Sequence, residues 1–379
     1  LPISVAALAR MSGPCWGQIM IHVPTRAVGA AAIAIVLAGI AAALTTRSDA
    51  AALVGETRMI AVTKPANATL DALRAEYRRP SDIPFPKDNP YTAEKVTLGK
   101  RLYFDTRLSA ANLLSCASCH NPGYAWGDGQ PVGVGHQMKN LGRRSPTIVN
   151  AAYGQIFMWD GRAGSLEEQA LGPIQADVEM ALPLEQLLKR LNSIGEYKPL
   201  FDATFPGKGI SGETIAKSIA TYERTVVSAR APFDAWIEGD EKAISESAKR
   251  GFMLFNTKAE CNKCHSGWKF TDDSFHDIGL KSPDIGRGKF LDEIPKAQHA
   301  FKTPGLREIS RRGPYMHNGS IATLEDVMEH YNQAGVERES RSDLIRPLGL
   351  NKQEMADLVD FMKTLTSDFD PTTVPPLPR

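Results

Sequence analysis

Apolar positions along this chain recur mainly at the three- and four-residue spacing of amphipathic helices, and the period-two alternation of strands is scarce. A helix is expected from Gly212 to Ser228: Ser211 can cap it, and Ile215, Ile219, Tyr222 and Val226 share one face. A last helix is expected from Asn351 to about Leu365. Glu354 completes its capping box, and Met355, Leu358, Val359 and Met362 form its apolar stripe. Two shorter apolar stretches, Leu98–Phe104 and Lys249–Phe255, each run toward a pair of cysteines. The pattern predicts a mostly α fold.

The pattern also repeats. Asp160-Gly161, Ser165-Leu166 and Glu167-Glu168 recur 158 residues later as Asn318-Gly319, Thr323-Leu324 and Glu325-Asp326. Each copy reads as a turn, an N-cap hydroxyl and an acidic first helical turn, with a full capping box expected at Ser165/Glu168. The chain therefore reads as two related halves, residues 91–232 and 233–379, with Pro232 and Gly239 punctuating the boundary.

The first 90 residues stand apart. Ala27 to Leu44 is a run of 18 residues without a charge, preceded by Arg26 and followed by the small-x-small sequence Ser48-Asp49-Ala50. Residues 1–50 read as a secretory signal starting at Met11 or Met20, with an uncleaved anchor as the alternative. Residues 51–90 read as a mature extension. Pro65, Pro80, Pro84, Pro86 and Pro90 leave room for one short helix, between Pro65 and Pro80. A periplasmic location is expected. The formal net charge of +1 argues against a nucleic-acid partner.

Five cysteines in an exported chain first suggest disulfides. Their spacing says otherwise. Cys116-Ala-Ser-Cys119-His120 and Cys261-Asn-Lys-Cys264-His265 are C-x-x-C-H pentads, which attach c-type haem. Two thiols at this spacing reach the two vinyl groups of one haem edge, and the adjacent histidine lies beneath the iron. Zinc is the rival, but neither pentad has an obvious fourth ligand. The expectation is two cytochrome c-like domains in tandem, each with one covalent haem c. Cys15 lies upstream of the apolar run, outside the mature protein so read.

The repeat bears on the far side of each iron. The helix after Thr323 carries Met328, His330 and Tyr331, all ligands in principle. At the same offset in the first half stands Pro173, which cannot ligate. One haem is thus expected to be held from both sides and the other to be open to a small molecule.

The pentads, with Met158-Trp-Asp-Gly-Arg162, Gly172-Pro173, Val178-Glu179-Met180, Pro304-Gly-Leu-Arg307 and Pro314-Tyr-Met-His-Asn-Gly319, resemble the bacterial di-haem cytochrome c peroxidase/MauG family over residues 90–366. MauG is the methylamine-utilisation enzyme that completes a tryptophan-derived quinone on a partner protein. The resemblance implies that His120 is the proximal ligand of a peroxidatic haem and His265 that of an electron-transfer haem. It implies that His136 can cap the first iron, that Gln169 and Glu179 belong to its distal pocket, with Glu179 the acid/base, and that Trp159 lies between the haems. Typical peroxidases place a methionine on the second iron 14 residues after the histidine of Pro-Tyr-x-His. Here that count from His317 reaches Tyr331, the MauG-like choice, with Met328 one turn earlier as the rival. The family also holds calcium through an asparagine and two carbonyls. Arg144 stands at the asparagine position and Arg312 near the carbonyls, so calcium is not expected.

Three functions follow from these readings. The leading one is reduction of hydrogen peroxide to water with electrons from a small periplasmic c-type cytochrome or cupredoxin. The second is MauG-like oxidation of a protein substrate via high-valent haem. The third is non-enzymatic electron carriage. By analogy with the family, a homodimer is the expected assembly.

Overall fold

The computed structural model describes residues 69–368 and 372–379. The apolar run, Cys15 and residues 51–68 of the extension lie outside the described residues. Helices dominate. In chain order they are α1 (Leu70–Glu76), α2 (Ala93–Phe104), α3 (Cys116–Cys119), α4 (Leu166–Gln175), α5 (Leu184–Asn192), α6 (Tyr197–Thr204), α7 (Gly212–Arg224), α8 (Pro232–Ile237), α9 (Glu246–Asn256), α10 (Leu324–Gln333) and α11 (Lys352–Lys363). β1 (Phe275–His276) and β2 (Phe301–Lys302) form a small antiparallel ribbon, pairing Phe275 with Lys302 and His276 with Phe301. Among the described residues no helix is long and apolar enough to cross a membrane.

The expected helices form, and their local signals are visible. Asn351 and Glu354 make the reciprocal capping box at the start of α11. At α4 the outcome differs. The Ser165 hydroxyl accepts from Glu168 N–H as expected, but the Glu168 carboxylate accepts from the N–H of Gly164, one residue before the cap. The box is therefore displaced by one residue.

The described residues form two apolar clusters. The first gathers Leu98, Leu102, Tyr103, Leu187, Phe201 and Ile219; the second gathers Phe233, Trp236, Phe252, Phe270, Leu358 and Phe361. Each fully buried side chain of this size contributes about 1.5–3 kcal/mol. The described part of the extension is not an appendage. Leu73 and Tyr77, on and just after α1, are buried in the second cluster, where Tyr77 stacks on Phe270 at 4.8 Å.

A matched pair of helix crossings underlies the repeat. In the first half α2 meets α7 at Gly99, where an added Cβ would lie 1.9 Å from the Ser218 carbonyl oxygen. In the second half α9 meets α11 at Gly251, where a Cβ would lie 1.9 Å from the Asp357 carbonyl oxygen. Each glycine lets two helix backbones touch, and each crossing sits just upstream of a pentad.

Candidate haem sites and the junction between the halves

Each pentad turns its histidine by the same local hydrogen bond. His120 N–H donates to Cys116 O at 2.9 Å, and His265 N–H donates to Cys261 O at 2.8 Å. The rings are then fixed from behind. His120 Nδ1 lies 2.8 Å from the Pro146 carbonyl oxygen, and His265 Nδ1 lies 2.8 Å from that of Phe270. A carbonyl can only accept, so Nδ1 carries the proton and the Nε2 lone pair is free. Burial lowers both histidine pKa values and so favours the neutral, ligating form. Both rings line one cavity, together with Trp159 and Gln169 from the first half and Cys261, Cys264, Met328 and Tyr331 from the second.

This donor set fits haem c. The four pentad cysteines are unpaired. Burial pushes the Cys119 thiol up to about 11 and the Cys261 thiol up to about 12, so both are neutral thiols in the chain by itself. Cys264, Asp272 and His276 do bring ligand atoms within 4.8 Å of one another. However, His276 is already engaged with Asp272 at 2.8 Å, and Cys264 belongs to the pentad.

Two equivalent turns meet between the halves. In Met158–Gly161 and Met316–Gly319 the methionine and the glycine both take positive φ, 70° and 72° in the first, 71° and 60° in the second. Each turn is closed by an equivalent bridge, Phe157 with Ala163 and Tyr315 with Ile321. Each glycine also presses on the other half: a Cβ on Gly161 would lie 2.2 Å from the Phe275 ring, and one on Gly319 would lie 2.3 Å from Pro131. The reciprocal packing brings Trp159 and His317 together, edge to face at 6.4 Å, while His317 stacks on Phe301 at 3.6 Å. Burial depresses the His317 pKa to about 4, so this ring is neutral.

Glu179 and His136 come together through the backbone. His136 N–H donates to the carbonyls of Glu179 and Val178 at 2.7 and 3.0 Å. Gly135 permits this approach, since a Cβ there would lie 2.0 Å from Val178 O. Burial raises the Glu179 pKa above the usual carboxylate range, with Arg162 opposing. Neither Glu179 nor His136 is among the residues lining the shared cavity. Cys119 feels the Glu179 charge, which puts Glu179 on the side of the first pentad.

On α10, Met328 is buried in the second core cluster and Tyr331 packs against it. Burial, and then the sulfurs of Cys261 and Cys264, raise the Tyr331 pKa; among the described residues no hydrogen bond relieves it. His330 is committed elsewhere, its Nε2 lying 3.0 Å from Ile278 O.

The sequence gives no sign of a bridge through Arg143. Its guanidinium reaches Asp160 at 2.6 Å in the first half and Asp284 at 2.5 Å in the second. Arg162 also holds Asp160, at 2.8 Å, and so ties the Trp159 turn to the surroundings of Glu179.

The model of the family described as di-haem cytochrome c peroxidase matches residues 93–242. The methylamine utilization protein MauG of Methylorubrum extorquens is 47% identical over 348 residues, covering 91% of this chain and 96% of that protein. The chain belongs to the di-haem cytochrome c peroxidase and MauG family. Membership implies two c-type haems and supports a haem oxidoreductase. The cytochrome c551 peroxidase of Pseudomonas aeruginosa is 32% identical over 309 residues, covering 79% of this chain and 86% of that one. Among solved structures, a MauG-like protein associated with microbial copper homeostasis superposes with a TM-score of 0.71 at 31% identity, over 76% of this chain and 95% of that one.

Proposed function

We propose that this chain is a periplasmic di-haem oxidoreductase of the MauG type, which uses hydrogen peroxide to oxidise a side chain of a partner protein. In this reading each half is a cytochrome c-like domain with one haem. The observation that carries the proposal is Tyr331. It stands on the cavity wall within the field of the second pentad's sulfurs, and among the described residues nothing engages its hydroxyl. A phenolate ligand favours the ferric and more oxidised states of iron, which suits an enzyme that withdraws electrons from a protein. The greater identity to MauG than to the Pseudomonas peroxidase, 47% against 32%, supports the same choice.

When bound, haem supplies an iron at each pentad that accepts peroxide or electrons. The chain does the rest. His120 and His265 present neutral Nε2 lone pairs. Glu179, with its raised pKa, takes a proton from one peroxide oxygen and returns it to the other. Trp159 and His317 meet edge to face and give electrons a path between the halves. Peroxide gains two electrons and two protons from the partner and leaves as two waters, while the partner side chain is oxidised by two electrons. The resemblance to MauG makes tryptophan the substrate side chain.

The second reading is peroxide reduction with electrons from a small c-type cytochrome or cupredoxin. The proximity of His136 to Glu179 favours it, because a capping histidine on the first iron is a peroxidase trait. The test supplies the holoprotein with peroxide and, in separate reactions, a tryptophan-bearing partner protein or reduced small cytochrome. The proposal expects peroxide-dependent oxidation of the partner, seen by mass spectrometry, to outpace cytochrome oxidation. Fast cytochrome oxidation with an unmodified partner would favour the second reading.

A further inference from the structure

Arg144 joins the two halves by three hydrogen bonds and holds Trp159 of its own half by a fourth. Its carbonyl accepts from Trp159 Nε1 at 2.9 Å, and its N–H donates to His317 O at 2.8 Å. Its guanidinium donates to the carbonyl oxygens of Arg312 and Pro314. The Arg312 guanidinium turns away and donates to the carbonyls of Gly305 and Arg307 at 2.7 and 2.9 Å. Arg144 and Arg312 are only 8% and 9% exposed, and no carboxylate hydrogen-bonds either guanidinium among the described residues. Two carbonyl oxygens thus converge on one buried positive charge at the junction that holds Trp159.

A divalent cation does not fit this donor set. Calcium takes six to eight oxygen ligands. Arg144 offers its side chain only as a donor, and it already occupies the Arg312 and Pro314 carbonyls. A second cation beside two buried guanidinium groups would be strongly repelled. An asparagine at position 144 would instead offer a neutral oxygen and leave both carbonyls free to ligate.

We infer that the Arg144 guanidinium is a built-in cation that takes the place of a bound divalent ion between the halves and positions Trp159 without any metal. The inference stands apart from the choice between partner oxidation and peroxide reduction, because its readouts are metal content and thermal stability rather than turnover.

The test uses the di-haem holoprotein, dialysed against a calcium chelator and then returned to millimolar calcium. Wild-type protein should hold well under one equivalent of calcium, and its Tm should be the same in both conditions. Arg144→Asn should lower the Tm by about 4 °C or more in chelator. Calcium should then restore most of that loss, because a ligand that binds only the folded state raises its stability. Arg144→Lys keeps the charge and should retain more stability than Arg144→Asn, with no response to calcium. One equivalent of calcium on the wild type, with a Tm that falls on chelation, would overturn the inference. So would an Arg144→Asn variant that is either unchanged in Tm or destabilised without rescue by calcium. If Arg144→Asn does not fold, the wild-type calcium content and the Arg144→Lys response decide.

Discussion

The main-chain N–H of His136 donates to the carbonyl oxygen of Glu179 at 2.7 Å, so the loop that carries His136 and the one that carries Glu179 are held together. Glu179→Gln keeps the size and the backbone contact but cannot shuttle a proton. Peroxide-dependent turnover should fall by about 10²–10⁴-fold while the resting haem spectra persist. His136→Gly is the companion variant. If His136 caps the first iron, its loss should speed peroxide binding to the fully oxidised protein. Full activity in Glu179→Gln would remove the acid/base assignment.

The acid limb of the pH–rate profile should carry the Glu179 signature. Burial raises its pKa and Arg162 lowers it. As a base it must be ionised, so activity should rise with pH through a value above the about 4.3 of a free glutamate. Arg162→Gln removes the lowering influence and should move that limb to still higher pH. A limb that stays in place in Arg162→Gln would exclude Glu179 as its source.

Stability in acid should depend on the bridge between the halves. Burial alone would raise the Asp284 pKa, but hydrogen bonds and charge from Arg143 hold it well below the usual carboxylate range. The bridge's contribution is therefore complete above about pH 4, the unfolded value, and is lost as pH falls further toward the depressed folded value. Asp284→Asn should destabilise the protein at neutral pH and flatten its Tm profile below about pH 4. Equal slopes in the two proteins would place the acid sensitivity elsewhere.

Haem content offers a separate check. Denatured holoprotein should retain haem through the thioethers, and a pyridine haemochrome assay should give two haems per chain. Cys261→Ala with Cys264→Ala should leave one. Haem that extracts into acidified acetone would contradict covalent attachment at both pentads.

Local signals were the most legible part of the sequence. The helix between Pro65 and Pro80, the capped starts of α7 and α11 and both pentads depend on residues a few positions apart. The 158-residue repeat predicted the paired turns, and the structure adds their function: each plugs into the opposite half. What the sequence hid is non-local. No pattern indicates that Leu73 and Tyr77 complete the second core, or that Arg143 spans to Asp284. The meeting of His136 with Glu179 needs Gly135 to bring two loop backbones together, which spacing alone cannot show. Arg144 was legible as a charge misplaced for calcium. Its grip on two carbonyls across the junction was not.

The coordination of each iron in the resting, fully oxidised holoprotein tests the account most directly, by electron paramagnetic resonance of the wild type and of Tyr331→Phe and Met328→Ala. The MauG-type reading predicts two signals of equal weight: a high-spin ferric haem open on the side away from His120, and a low-spin ferric haem held by His265 and Tyr331. Tyr331→Phe should abolish the low-spin signal, and Met328→Ala should leave it intact. Two low-spin haems in the resting protein, or a low-spin signal lost with Met328 and indifferent to Tyr331, would contradict it.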